Sequence, residues 1–185
     1  MYINEDISIE LLHSKHSEEL FILTEINKTY LRKWLPWLDF NKTVQDTEKF
    51  IESAIIQYKD GLGPQYAVFY KDRICGVNGY HRIDKINKIG ILGYWLGESY
   101  NGKGIISLTT KKLLNIGFYE YKLNKIEIRC ASGNHKSRAV PERLDFKYEA
   151  TLRQCELLYD KYLDHAVYSL LSIEYDMLEP NTVNG

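Results

Sequence analysis

The sequence predicts an α/β (α+β) domain with a mixed, mostly antiparallel sheet of about seven strands, flanked by about four helices. Three observations carry this reading. Short apolar runs separated by turn residues fill residues 65–96, the pattern of a meander. Residues 90–114, GILGYWLGESYNGKGIISLTTKKLL, join a strand to a helix through glycines, and a further alternating run follows at residues 124–130, as a parallel crossover requires. Two long alternating runs then close the chain at residues 146–158 and 166–175.

In order, residues 7–12 alternate enough for a first strand. Ser17 is placed to cap a helix whose Glu18 and Glu19 complement its dipole and whose Leu20, Leu23, Tyr30 and Leu31 carry it onward. Pro36 disfavours a helical Leu35, so this helix should end at the Trp34-Leu35-Pro36-Trp37-Leu38 knuckle. Trp34 and Trp37 suit either core packing or a substrate wall.

Thr43 with Asp46 opens a second helix carrying Thr47, Phe50, Ile51, Ala54, Ile55 and Tyr58 on one face, stopped by Gly61 and Gly63. Residues 65–70 form a strand, residues 71–73 a tight turn, and residues 74–83 a partner strand broken by Gly76 and Gly79. The central strand then enters Gly102-Lys103-Gly104 and a helix with Ile106, Leu113, Leu114 and Phe118 at helical spacing. Residues 135–144 read as a short helix in which Pro141 requires a distorted turn. Residues 160–164 link the last two strands. We assign residues 1–178 to one domain and residues 179–185 to a flexible C-terminal tail.

The 185 residues are 44% hydrophobic and 26% charged, enough for a substantial core and against disorder. Net charge is −1 from 24 basic and 25 acidic residues, so nothing global attracts nucleic acid or an anionic membrane. The amino terminus resembles no secretory signal, and no run approaches the ~20 apolar residues of a membrane helix. Cys75, Cys130 and Cys155 lack metal-ligand spacing, which leaves buried thiols in a reducing cytoplasm and no metal.

A strand feeding a helix through glycines leaves unpaired N–H groups at the helix start, where an anion can sit. Residues 102–104 therefore read as a phosphate cradle, although an ordinary strand-to-helix turn has the same composition. The P-loop pattern fails because Gly104 follows Lys103, and the dinucleotide fingerprint fails because Ser107 stands where its third glycine belongs.

In its order of elements the chain resembles the GNAT superfamily of acetyl-CoA-dependent N-acetyltransferases. That family's pyrophosphate signature is Q/R-x-x-G-x-G/A, and Asn101-Gly102-Lys103-Gly104-Ile105-Ile106 occupies it, with Asn101 and Ile106 departing from the usual residues. A nearer resemblance is to the RimJ/RimL branch, the ribosomal-protein-serine and -alanine N-acetyltransferases. It is carried by Leu31-Arg32-Lys33-Trp34 with Leu35-Pro36-Trp37, by Gly93-Tyr94-Trp95-Leu96 and by residues 134–140, Asn-His-Lys-Ser-Arg-Ala-Val.

This resemblance implies a GNAT fold whose central strand splays from its neighbour, so that the backbone of Tyr94, Trp95 and Leu96 meets the pantetheine and the thioester carbonyl. A lost oxyanion donor costs about 3 to 4 kcal/mol, so these groups matter. The resemblance makes Ser137 the acid for the coenzyme A thiolate and Asn134 a pantetheine contact; without it, both are capping residues. It also assigns the catalytic base to Glu156, 19 residues after Ser137. An apolar strand face around Glu156, shared with Leu152, Gln154 and Leu158, would raise its pKa toward neutrality. Glu149, Glu174, His81 and Asp84 are weaker candidates. Asp145, where many relatives have glycine, can take a left-handed turn at some cost.

The implied function is direct transfer of acetyl from acetyl-CoA to an amine, without an acyl-enzyme. A protein α-amine is the readiest acceptor, because its pKa is about 7.7 to 8.0 against about 10.4 for lysine. The alternatives are a small amine such as a polyamine or an aminoglycoside, and a non-catalytic acyl-CoA-binding module. A cytoplasmic location and a homodimer accord with the resemblance.

Overall fold

The computed structural model describes residues 1–178, so the expected tail at 179–185 lies outside the described residues. Seven strands form one sheet in the order β1-β2-β3-β4-β5-β7-β6. They are β1 (Ile7–Leu11), β2 (Gln65–Tyr70), β3 (Arg73–Asp84), β4 (Ile89–Leu96), β5 (Lys125–Ala131), β6 (Lys147–Leu158) and β7 (Lys161–Leu171). All neighbours are antiparallel except β4 and β5, which run parallel because a helix carries the chain back between them.

Among the described residues there are six α-helices where about four were expected: α1 (Ser17–Ile26), α2 (Lys28–Leu31), α3 (Val44–Lys59), α4 (Ile105–Asn115), α5 (His135–Arg143) and α6 (Ser172–Leu178). Two of them arise where long elements were expected. Helix α1 stops at Asn27, whose side-chain oxygen accepts from the Glu98 N–H at 2.8 Å and ties the break to the turn after β4. The last strand ends at Leu171 instead of Tyr175: Glu174 turns back to accept from the Leu171 N–H at 3.0 Å, which starts α6. This strand also begins earlier than residue 166, at Lys161, because the connection from β6 is a tight hairpin.

Ser17 is not the cap of α1. His16 holds that position without a side-chain bond, and the Ser17 hydroxyl donates to the Ser14 carbonyl at 2.6 Å. Thr43 does cap α3, with its hydroxyl and the Asp46 carboxylate satisfying each other's backbone N–H. Gly76 and Gly79 do not break β3. A Cβ on Gly76 would come within 2.0 Å of the Trp95 carbonyl, so close backbone approach explains it. The turn between β2 and β3 has positive φ at both Lys71 and Asp72, as a two-residue hairpin demands. Asp145 takes φ 60 after α5.

The core has two parts. One packs α4 and α5 on one face of the sheet around Tyr80, Leu92, Leu113, Ile126 and Ile128. The other packs α1 and α3 on the opposite face around Leu20, Leu23, Ile51 and Val77. Cys75 and Cys130 are buried thiols, and burial pushes Cys75 up to about 12. Cys155 is exposed, contrary to the expectation that all three are buried, because β6 is an edge strand with little packed on it.

Candidate active site

The parallel pairing of β4 with β5 covers only Ile89 to Leu92. Beyond it, Gly93 to Leu96 stay paired with β3 while β5 continues along β7, so the sheet opens into a wedge. Two cavities meet at this wedge and share Leu35, Tyr94 and Trp95 as a common wall.

The first cavity, about 560 Å3, runs from the wedge to the start of α4. Tyr94, Trp95, Leu96, Asn101, Gly102, Gly104, Ile105, Ile106, Asn134, Ser137 and Trp34 all line it, so it collects most residues that the sequence singles out. Gly102 and Gly104 have φ 78 and 74, and a Cβ on either would meet nothing within 4 Å. The glycines are needed for their left-handed backbone rather than for space. The first bond into the helix runs from the Leu108 N–H to the Gly104 carbonyl at 3.0 Å. That leaves the N–H groups of Ile105, Ile106 and Ser107 without intrahelical acceptors at the cavity wall.

Side chains at the cradle behave differently from its backbone. The Asn101 amide donates to the carbonyls of Glu98 at 2.8 Å and Gly97 at 3.3 Å, so it closes the preceding turn. Ile106 is buried in the core. Lys103 does not line the cavity; its Nζ lies 5.6 Å from the Tyr70 ring centroid. The missed cation is Arg143, which lines the cavity and donates to the Ser107 hydroxyl at 2.9 Å. Only its place on the last turn of α5 brings it there, and no sequence spacing signals that.

Asn134 is the N-cap of α5: its side-chain oxygen accepts from the Ser137 N–H at 3.2 Å. The capping reading of this pair therefore holds, and both residues also face the cavity. Pro141 lies inside α5, not in a distorted turn. It has no N–H to offer the carbonyl of Ser137, four residues earlier. The Tyr94 hydroxyl takes that place, donating to the Ser137 carbonyl at 2.9 Å. Behind Ser137 lies Cys130, whose thiol is held above its ordinary value by burial, partly offset by a hydrogen bond from Ser137.

The second cavity, about 440 Å3, lies on the α1 and α3 face. Trp37, Phe40, Phe50 and Trp95 give it aromatic walls, and Thr24, Asn41, Thr47, Gln65 and His81 give it polar points. Trp37 and Trp95 sit with ring centroids 6.0 Å apart. The two tryptophans around Pro36 thus wall different cavities, Trp34 the first and Trp37 the second.

Glu156 lines neither cavity. The expected apolar strand face around it is absent: residues 147–155 are exposed, and the register of β6 against β7 slips between Leu152 and Glu156. Gln154, at φ 50 inside this slip, gives its N–H to Asp164 at 2.8 Å. Glu156 instead meets His165 Nε2 at 2.8 Å. His165 pairs with Ala131 and so shares the sheet face of Arg129 and Glu127, the latter opposite Ile91. The pair stands across the wedge on the face of the second cavity. Among the described residues no His, Cys, Asp and Glu group suits a metal, and no helix is long and apolar enough to cross a membrane.

Comparison with known proteins points in one direction. Residues 7–147 match the family model described as the acetyltransferase (GNAT) domain. YdaF of Bacillus subtilis (strain 168), which carries a provisional ribosomal N-acetyltransferase name, is 37% identical over 176 residues, 94% of this chain and 96% of its own. The ribosomal-protein-serine acetyltransferase of Escherichia coli (strain K12) is 31% identical over 167 residues, 90% and 93% of the two chains. The structure of the ribosomal L7/L12 α-N-protein acetyltransferase RimL with coenzyme A superposes with a TM-score of 0.88 at 27% identity, covering 92% of this chain and 96% of that one.

Proposed function

The chain belongs to the GNAT acetyltransferase family and is an N-acetyltransferase, and from that premise we propose that it moves acetyl from acetyl-CoA to the α-amine of a protein N-terminus, a serine by analogy with its relatives. The single observation that carries this reading is the wedge between β4 and β5, which opens one cavity toward the α4 cradle and another toward the aromatic pocket. A donor and an acceptor then meet from opposite sides at Tyr94 and Trp95.

The residues fit coenzyme A. Free N–H groups at Ile105, Ile106 and Ser107, the helix dipole and Arg143 suit a pyrophosphate. The backbone of Tyr94, Trp95 and Leu96, unpaired on the β5 side, suits the pantetheine and the thioester oxygen. Bound acetyl-CoA supplies an activated acyl group. Asn134 keeps its amide N–H groups for the pantetheine while its oxygen caps α5. Ser137 is the proton donor to the leaving thiolate, and Glu156, oriented by His165, is a proton acceptor on the amine side. Trp34 and Trp37 act as walls for the donor and the acceptor, respectively.

The test is coenzyme A release with a panel of acceptors: an N-terminal-serine peptide, the same peptide with a blocked N-terminus, spermidine and an aminoglycoside. The reading expects turnover on the free peptide alone, lowered at least ~100-fold by Ser137→Ala and by Glu156→Gln. Turnover confined to spermidine or the aminoglycoside overturns the acceptor class. Tight acetyl-CoA binding without turnover on any amine would favour a binding module instead.

A further inference from the structure

An ammonium acceptor must lose two protons on its way to an amide, and the reading above, on which this inference rests, gives Glu156 only one of them. His81 lies where the other has to go. It is the extra residue of β3, because the register against β4 passes from Tyr80 opposite Leu92 directly to Arg82 opposite Ile91. Tyr80 turns into the core, where its hydroxyl donates to the Leu113 carbonyl at 2.9 Å. The bulge leaves His81 on the opposite face, in the wall of the aromatic cavity.

There the imidazole lies over Gly93, the first residue of β4 beyond its pairing with β5. A Cβ on Gly93 would fall 1.6 Å from His81 Nε2, so no residue but glycine lets the ring occupy this place. Among the described residues His81 has no hydrogen-bond partner, so a lone pair is left for a ligand. The ring is accessible through the cavity yet enclosed by protein atoms, and this enclosure alone holds its pKa below the ordinary histidine value of 6.5. The charged or titratable groups sharing its cavity are Asp46 at the start of α3 and Tyr94 on β4, with Arg82 next to it on its own strand; on the same sheet face lie Glu127 and Arg129 on β5 and, across the wedge, Glu156 and His165. Glu127 pairs with Arg129 at 2.7 Å and with Lys125 at 3.2 Å, and Lys125 also pairs with Glu149 at 3.2 Å, so these four charges balance one another.

We propose that His81 takes the first proton from the acceptor ammonium. Nε2 accepts it, giving an imidazolium and a neutral amine. The amine lone pair forms the C–N bond at the thioester carbonyl carbon while the carbonyl π pair moves to oxygen. The nitrogen then gives its second proton to Glu156, the carbonyl re-forms, and the C–S pair leaves with the coenzyme A thiolate. The thiolate takes a proton from the Ser137 hydroxyl, which is re-protonated from solvent, and His81 and Glu156 then release their two protons to solvent. One proton ends on the thiol and one in solution, so the exchange balances.

The experiment is the pH dependence of kcat/KM for the N-terminal-serine peptide, with spermidine run beside it, in the wild type, His81→Gln, Glu156→Gln, and His81→Ala with added imidazole. The wild type should show a rising limb with its midpoint below 6.5. His81→Gln should lose this limb and fall about 100-fold at the plateau, with acetyl-CoA affinity unchanged. Imidazole should restore His81→Ala, and Glu156→Gln should lower the plateau but keep the limb. A limb kept in His81→Gln and lost in Glu156→Gln overturns the proposal, as does a His81→Ala enzyme that imidazole does not rescue. If the wild type acetylates spermidine alone, the acceptor class falls, while the limb measured on spermidine still decides the role of His81.

Discussion

The Tyr94 hydroxyl donates to the Ser137 carbonyl at 2.9 Å, and it does so because Pro141 cannot. The central strand is thereby fastened to the helix that presents Ser137. Burial holds the Tyr94 phenol above its ordinary pKa, so it stays a donor at any working pH. Tyr94→Phe should cost about 1 to 3 kcal/mol of stability, since it leaves a part-buried carbonyl without a partner. In a Pro141→Ala background a helical N–H reaches that carbonyl, and the same change should cost much less. Urea unfolding of the two single variants and the double variant measures this coupling.

The cradle makes a separable prediction. Gly104→Ala meets no atom within 4 Å, so its cost is the left-handed backbone at φ 74 alone, about 1 to 2 kcal/mol. If the helix start holds an anion, Arg143→Ala should weaken coenzyme A about tenfold by calorimetry, with little change in unfolding midpoint. Dephospho and pyrophosphate-free analogues would show which part of the ligand Arg143 senses. An unchanged affinity would remove Arg143 from the site.

Stability should fall in mild acid through His16. Its Nδ1 accepts from the His13 N–H at 3.2 Å and its Nε2 meets Glu10 at 3.2 Å, an arrangement that fits the neutral ring with its proton on Nε2. Burial depresses its pKa below 6.5, with Glu10 opposing. The unfolded chain therefore binds the proton first, and stability decreases as pH falls from 6.5 to the folded pKa. Above 6.5 both states are neutral and this contribution is flat. Urea midpoints between about pH 5 and pH 8 should show the fall, and His16→Gln should reduce it, leaving the part that His81, depressed in the same direction, contributes.

Much of this was legible in local chemistry. The capping box of Thr43 and Asp46 is a signal confined to a few residues and formed as read, while the turn expected at residues 71–73 closes at residues 71–72 with Arg73 already in β3. The site residues gathered in the first cavity follow from order along the chain, since a strand, a cradle and a crossover fix one another. What stayed hidden depends on register. The bulge that turns His81 over Gly93 and the slip that takes Glu156 off an apolar face are two-strand properties, invisible in either strand alone. Tyr94 and Pro141 likewise explain each other only once α5 packs against β4.

The central claim, that an N-terminal amine meets acetyl-CoA at the wedge, is tested most directly by mapping the product on one peptide carrying both a free N-terminal serine and an internal lysine. Fragmentation mass spectrometry after incubation with acetyl-CoA should place the acetyl group on the α-amine alone. Acetyl on the lysine, or none on the peptide while spermidine is acetylated, would contradict it.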